Sequence, residues 1–290
     1  MVPTKDRNVS GIYLEEKGVG ILFDCGEGTQ RQMNFAGISR NKVRHLFISH
    51  WHADHVAGIL GLLQTIGDKG QAKTIDIYGP TETKIRVQHL IDATYFDQGI
   101  QINVHDIEKT KKVTSVLKTD DFEIQTISLD HTIPCLGYTF KQNDRRKIKT
   151  SEIKKRGISP GPILKQFQSG ETVEVDGKKV AADDVTTVVV GKKFTYVADT
   201  GFTQNAITLA KNADLVIAES SYTKEHTENA LKFKHLTSEQ TATIAKEAEA
   251  QMLVLTHISQ RYKKTTDMLK EAKAVFTNTV VGKDFQEYTL

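Results

Sequence analysis

Eight short apolar runs punctuate this chain: "VGILFD" (19–24), "RHLFIS" (44–49), "TIDIYG" (74–79), "FEIQTISL" (122–129), "VTTVVV" (185–190), "FTYVAD" (194–199), "DLVIAE" (214–219) and "MLVLTH" (252–257). They are too short for helices and rich in β-branched and aromatic residues, so they predict strands. Between several of them, residues 55–66, 81–94, 203–211, 238–250 and 260–274 carry apolar side chains at helical spacing. "TSEQTATIA" opens the fourth of these with Ser and Thr ahead of Glu239, a helix-capping sequence. Strands mixed with helices along the whole length predict a layered α/β fold, with residues 1–290 as one domain.

At 290 residues and 38% hydrophobic, the chain can bury a large core. Its opening "MVPTKDRN" is polar, and no stretch approaches the roughly 18 unbroken apolar residues of a membrane span, so a soluble cytoplasmic protein is expected. Cys25 and Cys135 are the only cysteines, too few for a disulfide framework and too far apart for a Cys-x-x-Cys motif. Any metal must therefore be held by His and Asp. The net charge of +3 hides an uneven distribution, for "KQNDRRKIKTSEIKKR" (141–156) carries eight Lys and Arg against Asp144 and Glu152. "GISPGPI" and "FQSGETVEVDGKKV" follow, the latter a hairpin turning at Asp176-Gly177. Residues 141–183 show no evident core face and are expected to be an inserted, flexible excursion.

"SHWHADH" (49–55) places three imidazoles and a carboxylate directly after a strand. In extended chain, residues two apart share a side, so His50 and His52 converge on one point. Asp54 and His55 follow where the chain turns into a helix and are aimed at a second point, which suits two neighbouring metal centres. Further ligands are expected at other strand ends, namely His131, Asp199 and His257. His45, His89, His105 and His226 lie on strand interiors, helix faces or loops without such partners and read as structural. Cys135 reads as a small buried residue on "CLGYTF".

His50, His52, Asp54, His55, His131, Asp199 and His257, in that order, resemble the signature of the metallo-β-lactamase superfamily. The resemblance implies an αββα sandwich with two zinc ions per subunit. His50, His52 and His131 would hold the first zinc, Asp54, His55 and His257 the second, and Asp199 would bridge them. Smaller motifs resemble one member family, ribonuclease Z, which trims the 3′ trailer from precursor tRNA. They are "PTKDRN" (3–8), "FDCGEGTQRQM" (23–33), "HTIPCLGYTF" (131–140), "HISQRY" (257–262) and a basic excursion containing Gly161-Pro162. Two departures stand out. The family's His-Glu-Ala-Thr loop is here Ala218-Glu219-Ser220-Ser221, and only Met1 and Val2 precede Pro3 where the family has an edge strand.

That family likeness implies a zinc-dependent endoribonuclease that leaves a 3′-hydroxyl on the tRNA and a 5′-phosphate on the trailer. Asp54 would take the nucleophile's proton, and His235, oriented by Glu219, would protonate the departing oxygen. Lys5, Arg7 and Asn8 would hold nucleotides around the scissile bond, while the arm with Gly161 and Pro162 would grip the tRNA body. A homodimer is implied as well. Two other readings remain: a hydrolase of small phosphodiesters or thioesters, and a non-catalytic RNA-binding subunit that has kept the fold.

Overall fold

The computed structural model describes residues 1–67, 73–96 and 99–290. They fall into two compact units, one built from Met1–Lys118, Ile124–Phe140 and Lys193–Leu290, the other from Thr119–Glu123 and Lys141–Lys192.

The larger unit opens with a hairpin of β1 (Ile12–Glu16) and β2 (Val19–Phe23). Its two-residue turn, Lys17-Gly18, has positive φ at both positions, the backbone that matches strand twist. There follow α1 (Thr29–Phe35), β3 (Val43–Phe47), α2 (Ala53–Val56), α3 (Ile59–Gly67), β4 (Lys73–Pro80), α4 (Thr83–Asp92) and β5 (Ile100–Ile107). These strands form one sheet in the order β1-β2-β3-β4-β5, parallel from β2 onward. The single helix expected over 55–66 is two helices, because the chain breaks at Gly58. A Cβ there would lie 2.2 Å from the Gly26 carbonyl oxygen, an approach only glycine allows.

Next come β6 (Thr114–Lys118), β7 (Phe122–Leu129) and β8 (Cys135–Gln142). The second unit then adds β9 (Arg145–Ile148), α5 (Thr150–Lys155), α6 (Ile163–Gln168), β10 (Val173–Val175), β11 (Lys178–Val180), α7 (Ala182–Val185) and β12 (Thr186–Val189). The chain returns through β13 (Lys193–Val197), α8 (Gln204–Ala210), β14 (Leu215–Glu219), α9 (Thr227–Phe233), α10 (Ser238–Glu247), β15 (Leu253–Thr256), α11 (Thr266–Val275) and β16 (Thr279–Val281). A second large sheet has the order β16-β15-β14-β13-β8-β7-β6.

Alternation along the strands explains the layering. Phe23 of β2 and Phe47 of β3 face the other sheet, with ring centroids 5.6 Å (Phe23–Phe194) and 5.3 Å (Phe47–Tyr138) apart. The neighbouring Leu22 and Leu46 point the opposite way, into a cluster with Leu62, Leu63 and Ile66 of α3. Strands buried on both faces read as unbroken apolar runs. Over the second sheet, α10 and α11 bury Ile244 and Met268. Helices outside two stacked sheets make the expected αββα sandwich.

The second unit differs from the coreless excursion expected of 141–183. Ile153, Ile158, Phe167, Val180, Ala182 and Val185 are buried together. β9 pairs with β12, so the unit runs on to Lys192. The expected hairpin is present as β10 and β11, with Asp176 and Gly177 both at positive φ. Four basic residues of the run are internally engaged: Arg146 with Asp183, Lys149 with the Asp183 carbonyl, Lys155 with Glu152, and Arg156 with Asp184. Lys141, Arg145, Lys147 and Lys154 are exposed.

Candidate metal centre

After β3 ends at Phe47, the chain stays extended through His52, whose φ and ψ are −72° and 144°. His50 and His52 therefore share a side, while Trp51 between them turns away and donates its indole N–H to Thr83 Oγ1 at 2.9 Å. α2 begins at the next residue, and the change from a period of two to one of 3.6 re-aims Asp54 and His55. His131 follows β7, Asp199 follows β13, and His257 follows β15. His257 holds φ at +52°, a left-handed backbone that is uncommon outside glycine. Ser221 Oγ lies 3.0 Å from the His257 carbonyl oxygen and 2.9 Å from its Nδ1, packing against both backbone and ring.

All seven residues converge. His50, His52, His131 and Asp199 offer one set of ligand atoms, and Asp54, His55 and His257 another. His52 Nδ1 lies 3.0 Å from His50 Nε2 and 3.2 Å from His131 Nε2. In the second set, His257 Nε2 lies 3.3 Å from His55 Nε2 and 3.2 Å from Asp54 Oδ2. Tetrahedral zinc with Zn–N near 2.0–2.1 Å separates its ligands by about 3.3 Å, so these edges match a metal polyhedron. Asp199 Oδ2 spans the sets, at 3.7 Å from His50 Nε2 and 3.3 Å from His257 Nε2. Its other oxygen, Oδ1, is buried with no hydrogen-bond partner among the described residues, a cost that a cation would remove. Nitrogen and oxygen donors without thiolate suit zinc and harder divalent ions alike.

Electrostatics agree with metal binding. Burial, reinforced by neighbouring imidazoles, pushes His50, His52 and His131 below the usual histidine pKa, keeping their lone pairs free for a metal. Burial works against charge at Asp54, but His257 and His55 hold its carboxyl well below the usual carboxylate range. Burial also opposes charge on His55, yet Asp199 and Asp24 raise its pKa well above the ordinary value. A pair of carboxylates that favours a proton there favours a divalent cation too.

Apart from Glu219, expected from the family likeness to orient His235, a supporting layer was not assigned from the sequence. Asp24, entirely buried, takes the Ser49 N–H on Oδ1 (2.7 Å) and the Ser49 and Tyr196 hydroxyls on Oδ2 (2.8 and 2.7 Å), with His55 Nδ1 also 2.7 Å from Oδ2. His131 Nδ1 donates to the Lys234 carbonyl at 3.0 Å. Glu219 Oε2 receives Ser221 Oγ at 2.8 Å, which links it to His257. The available signal was position: Asp24 and Ser49 each stand at the end of an apolar run.

The remaining named residues sit as follows. His235 Nδ1 lies 2.9 Å from Glu219 Oε1 and 3.9 Å from Asp199 Oδ2. Burial opposes its charge, but the Glu219 carboxylate outweighs it and raises the pKa to about 9. Arg7 donates to the Gly282 carbonyl (2.7 Å), and Asn8 to the Glu27 carbonyl (2.9 Å) and Asp284 (2.8 Å). Both residues are thus partly committed to holding the 3–8 loop, and Lys5 is exposed. Gly161 and Pro162 lie in the second unit, exposed at the start of α6.

Fold and ligand set together define a metallo-β-lactamase-superfamily protein with a His/Asp metal centre, and a superfamily domain profile matches residues 165–258. The profile of the anti-Pycsar protein Apyc1 matches residues 3–153. Ribonuclease Z of Prochlorococcus marinus subsp. pastoris is 35% identical over 98% of this chain and 95% of its own. That of Protochlamydia amoebophila is 37% identical over 97% and 91%. In structure, the short form of human tRNase Z matches with a TM-score of 0.72 at 24% identity, covering 98% of this chain and 93% of its own. The chain belongs to the ribonuclease Z family, and with it to the metal-dependent endoribonucleases.

Proposed function

We propose that this protein binds two zinc ions and removes the 3′ trailer from precursor tRNA. The observation that carries the reading is the convergence of seven ligand residues, spanned by Asp199, in a chain of the ribonuclease Z family. His50, His52 and His131 would hold one ion and Asp54, His55 and His257 the other, with Asp199 between. When bound, two such ions would supply an attacking water acidic enough to ionise near neutral pH and positive charge for the phosphoryl oxygens.

The chain's own groups divide the proton work. Asp54, kept ionised by His257 and His55, accepts the nucleophile's proton on a carboxylate oxygen. His235 spends Nδ1 on Glu219, which leaves Nε2 to deliver a proton to the departing 3′ oxygen. Protonation there leaves a 3′-hydroxyl on the tRNA and a 5′-phosphate on the trailer. Lys5, Arg7 and Asn8 contact nucleotides at the cut, and the 141–183 arm, with Gly161 and Pro162, grips the tRNA body through phosphate charge. A homodimer acting in the cytoplasm completes the reading. Among the described residues no helix is long and apolar enough to cross a membrane.

The test is to incubate the purified protein with a tRNA carrying a 3′ trailer and map both product ends. Release of an intact trailer with a 5′-phosphate is expected. Intact precursor alongside hydrolysis of a small phosphodiester would transfer the site to the small-substrate reading.

A further inference from the structure

Two exposed aromatic rings stand close in sequence to site residues, Phe202 on the loop after Asp199 and Phe233 at the C-terminal end of α9. Phe202 is 45% and Phe233 46% exposed. A lone exposed apolar side chain is ordinary, so the argument lies in where these two are anchored. Phe202 comes three residues after Asp199, and Phe233 two before His235. Asp130 ties their loops together: its carbonyl accepts from the Gly201 N–H at 2.7 Å, and its Oδ1 from Lys234 Nζ at 2.7 Å. The Lys234 carbonyl in turn accepts from His131 Nδ1. A Cβ on Gly201 would stand 3.9 Å from Lys234 Cα, so the two backbones run close together.

Lys234 adopts the left-handed conformation (φ 54°), which ends α9 and sends the chain directly into His235. Lys232 Nζ lies 5.4 Å over the Phe233 ring. Neither phenylalanine packs on another aromatic ring among the described residues, and each is about half exposed.

We propose that Phe202 and Phe233 form a stacking rim for an unpaired nucleobase beside the scissile phosphate of an RNA substrate. The inference rests on the ribonuclease reading above. His50, His55 and Asp199 are buried, so a phosphate that reaches them must leave a regular duplex and expose the π-faces of the flanking bases. Aromatic rings accept any such face, which gives grip without reading sequence. Lys232, whose Nζ lies over the Phe233 ring, adds positive charge for backbone phosphates, the partnership of ring and cation found where single-stranded nucleic acid is gripped.

The experiment compares trailer-bearing precursor tRNAs that are intact or carry one abasic nucleotide on either side of the cut. Wild type, Phe202→Ala, Phe233→Ala, and the conservative Phe202→Tyr and Phe233→Tyr are assayed for kcat/KM, with melting temperature as the check on folding. Removing the stacked base should slow wild type by about 5- to 150-fold. The alanine variant at the stacking ring should lose a similar factor on intact precursor and be indifferent to the abasic site, and the tyrosine variant should behave as wild type. Phe→Leu, which keeps apolar volume without a π-face, serves where alanine does not fold and should match the alanine result. Equal sensitivity to base removal in wild type and all variants would overturn the stacking rim alone. Precursor tRNA left uncut by wild type would overturn both this inference and the reading beneath it.

Discussion

Asp24 and His55, both completely buried, meet with Nδ1 2.7 Å from Oδ2. The contact fixes the ring so that Nε2 faces Asp54 and His257, and it makes that nitrogen a better donor to a metal. Asp24→Asn keeps the shape and removes the charge. It should weaken binding of the second metal about 10- to 100-fold, measured by competition with a chelator. Metal affinity equal to wild type would show that Ser49 and Tyr196 suffice to hold the site.

His235 offers a pH signature. Its pKa, raised to about 9 by Glu219, keeps the ring protonated at neutral pH, and a proton donor of this kind is lost as pH rises through that value. The cleavage rate should therefore fall on the alkaline side near pH 9. Glu219→Gln should move that fall toward the ordinary histidine range, and His235→Ala should slow cleavage about 10²- to 10⁴-fold with metal content unchanged. A wild-type rate across the pH range in His235→Ala would remove it from the reaction.

Asp54 is assigned both to a metal and to the nucleophile's proton. Asp54→Ala should abolish cleavage more completely than it strips metal, compared by elemental analysis and rate on one sample. Loss of activity strictly proportional to loss of metal would leave Asp54 as a ligand only.

Most of the second unit can be replaced. Gln142 donates its N–H to the Lys192 carbonyl at 2.8 Å, so a short Gly-Ser linker can replace 143–191 and join two residues that already lie side by side. Fold and metal content should survive while precursor tRNA binding weakens severely. A milder test replaces Arg145 and Lys147, which are exposed on β9, with glutamate. For every RNA phosphate that a basic side chain no longer neutralises, the dependence of log affinity on log salt should flatten by roughly 0.7 to 0.9. An unchanged affinity and slope would show that the arm is not the grip.

The convergence of His50, His52, Asp54 and His55 was legible because local geometry sets it: His-x-His-x-Asp-His after an apolar run fixes two directions within six residues. Asp24, Ser221 and Tyr196 were harder to assign because their roles arise from hydrogen bonds between distant segments, which spacing does not record. The arm's core escaped for another reason. Ile148, Ile153, Ile158 and Phe167 sit singly among lysines and polar residues, so no run or stripe announces a buried face. The break at Gly58 depends on the approach of Gly26, again a contact far away in sequence.

The most direct measurement of the central claim is a zinc titration of metal-free protein, scored by trailer release from precursor tRNA. The seven converging ligands call for cleavage that rises toward a maximum as the second equivalent binds, with elemental analysis giving about two zinc ions per chain. Full activity reached at a single equivalent, with no gain beyond it, would contradict a site in which Asp199 joins two ions.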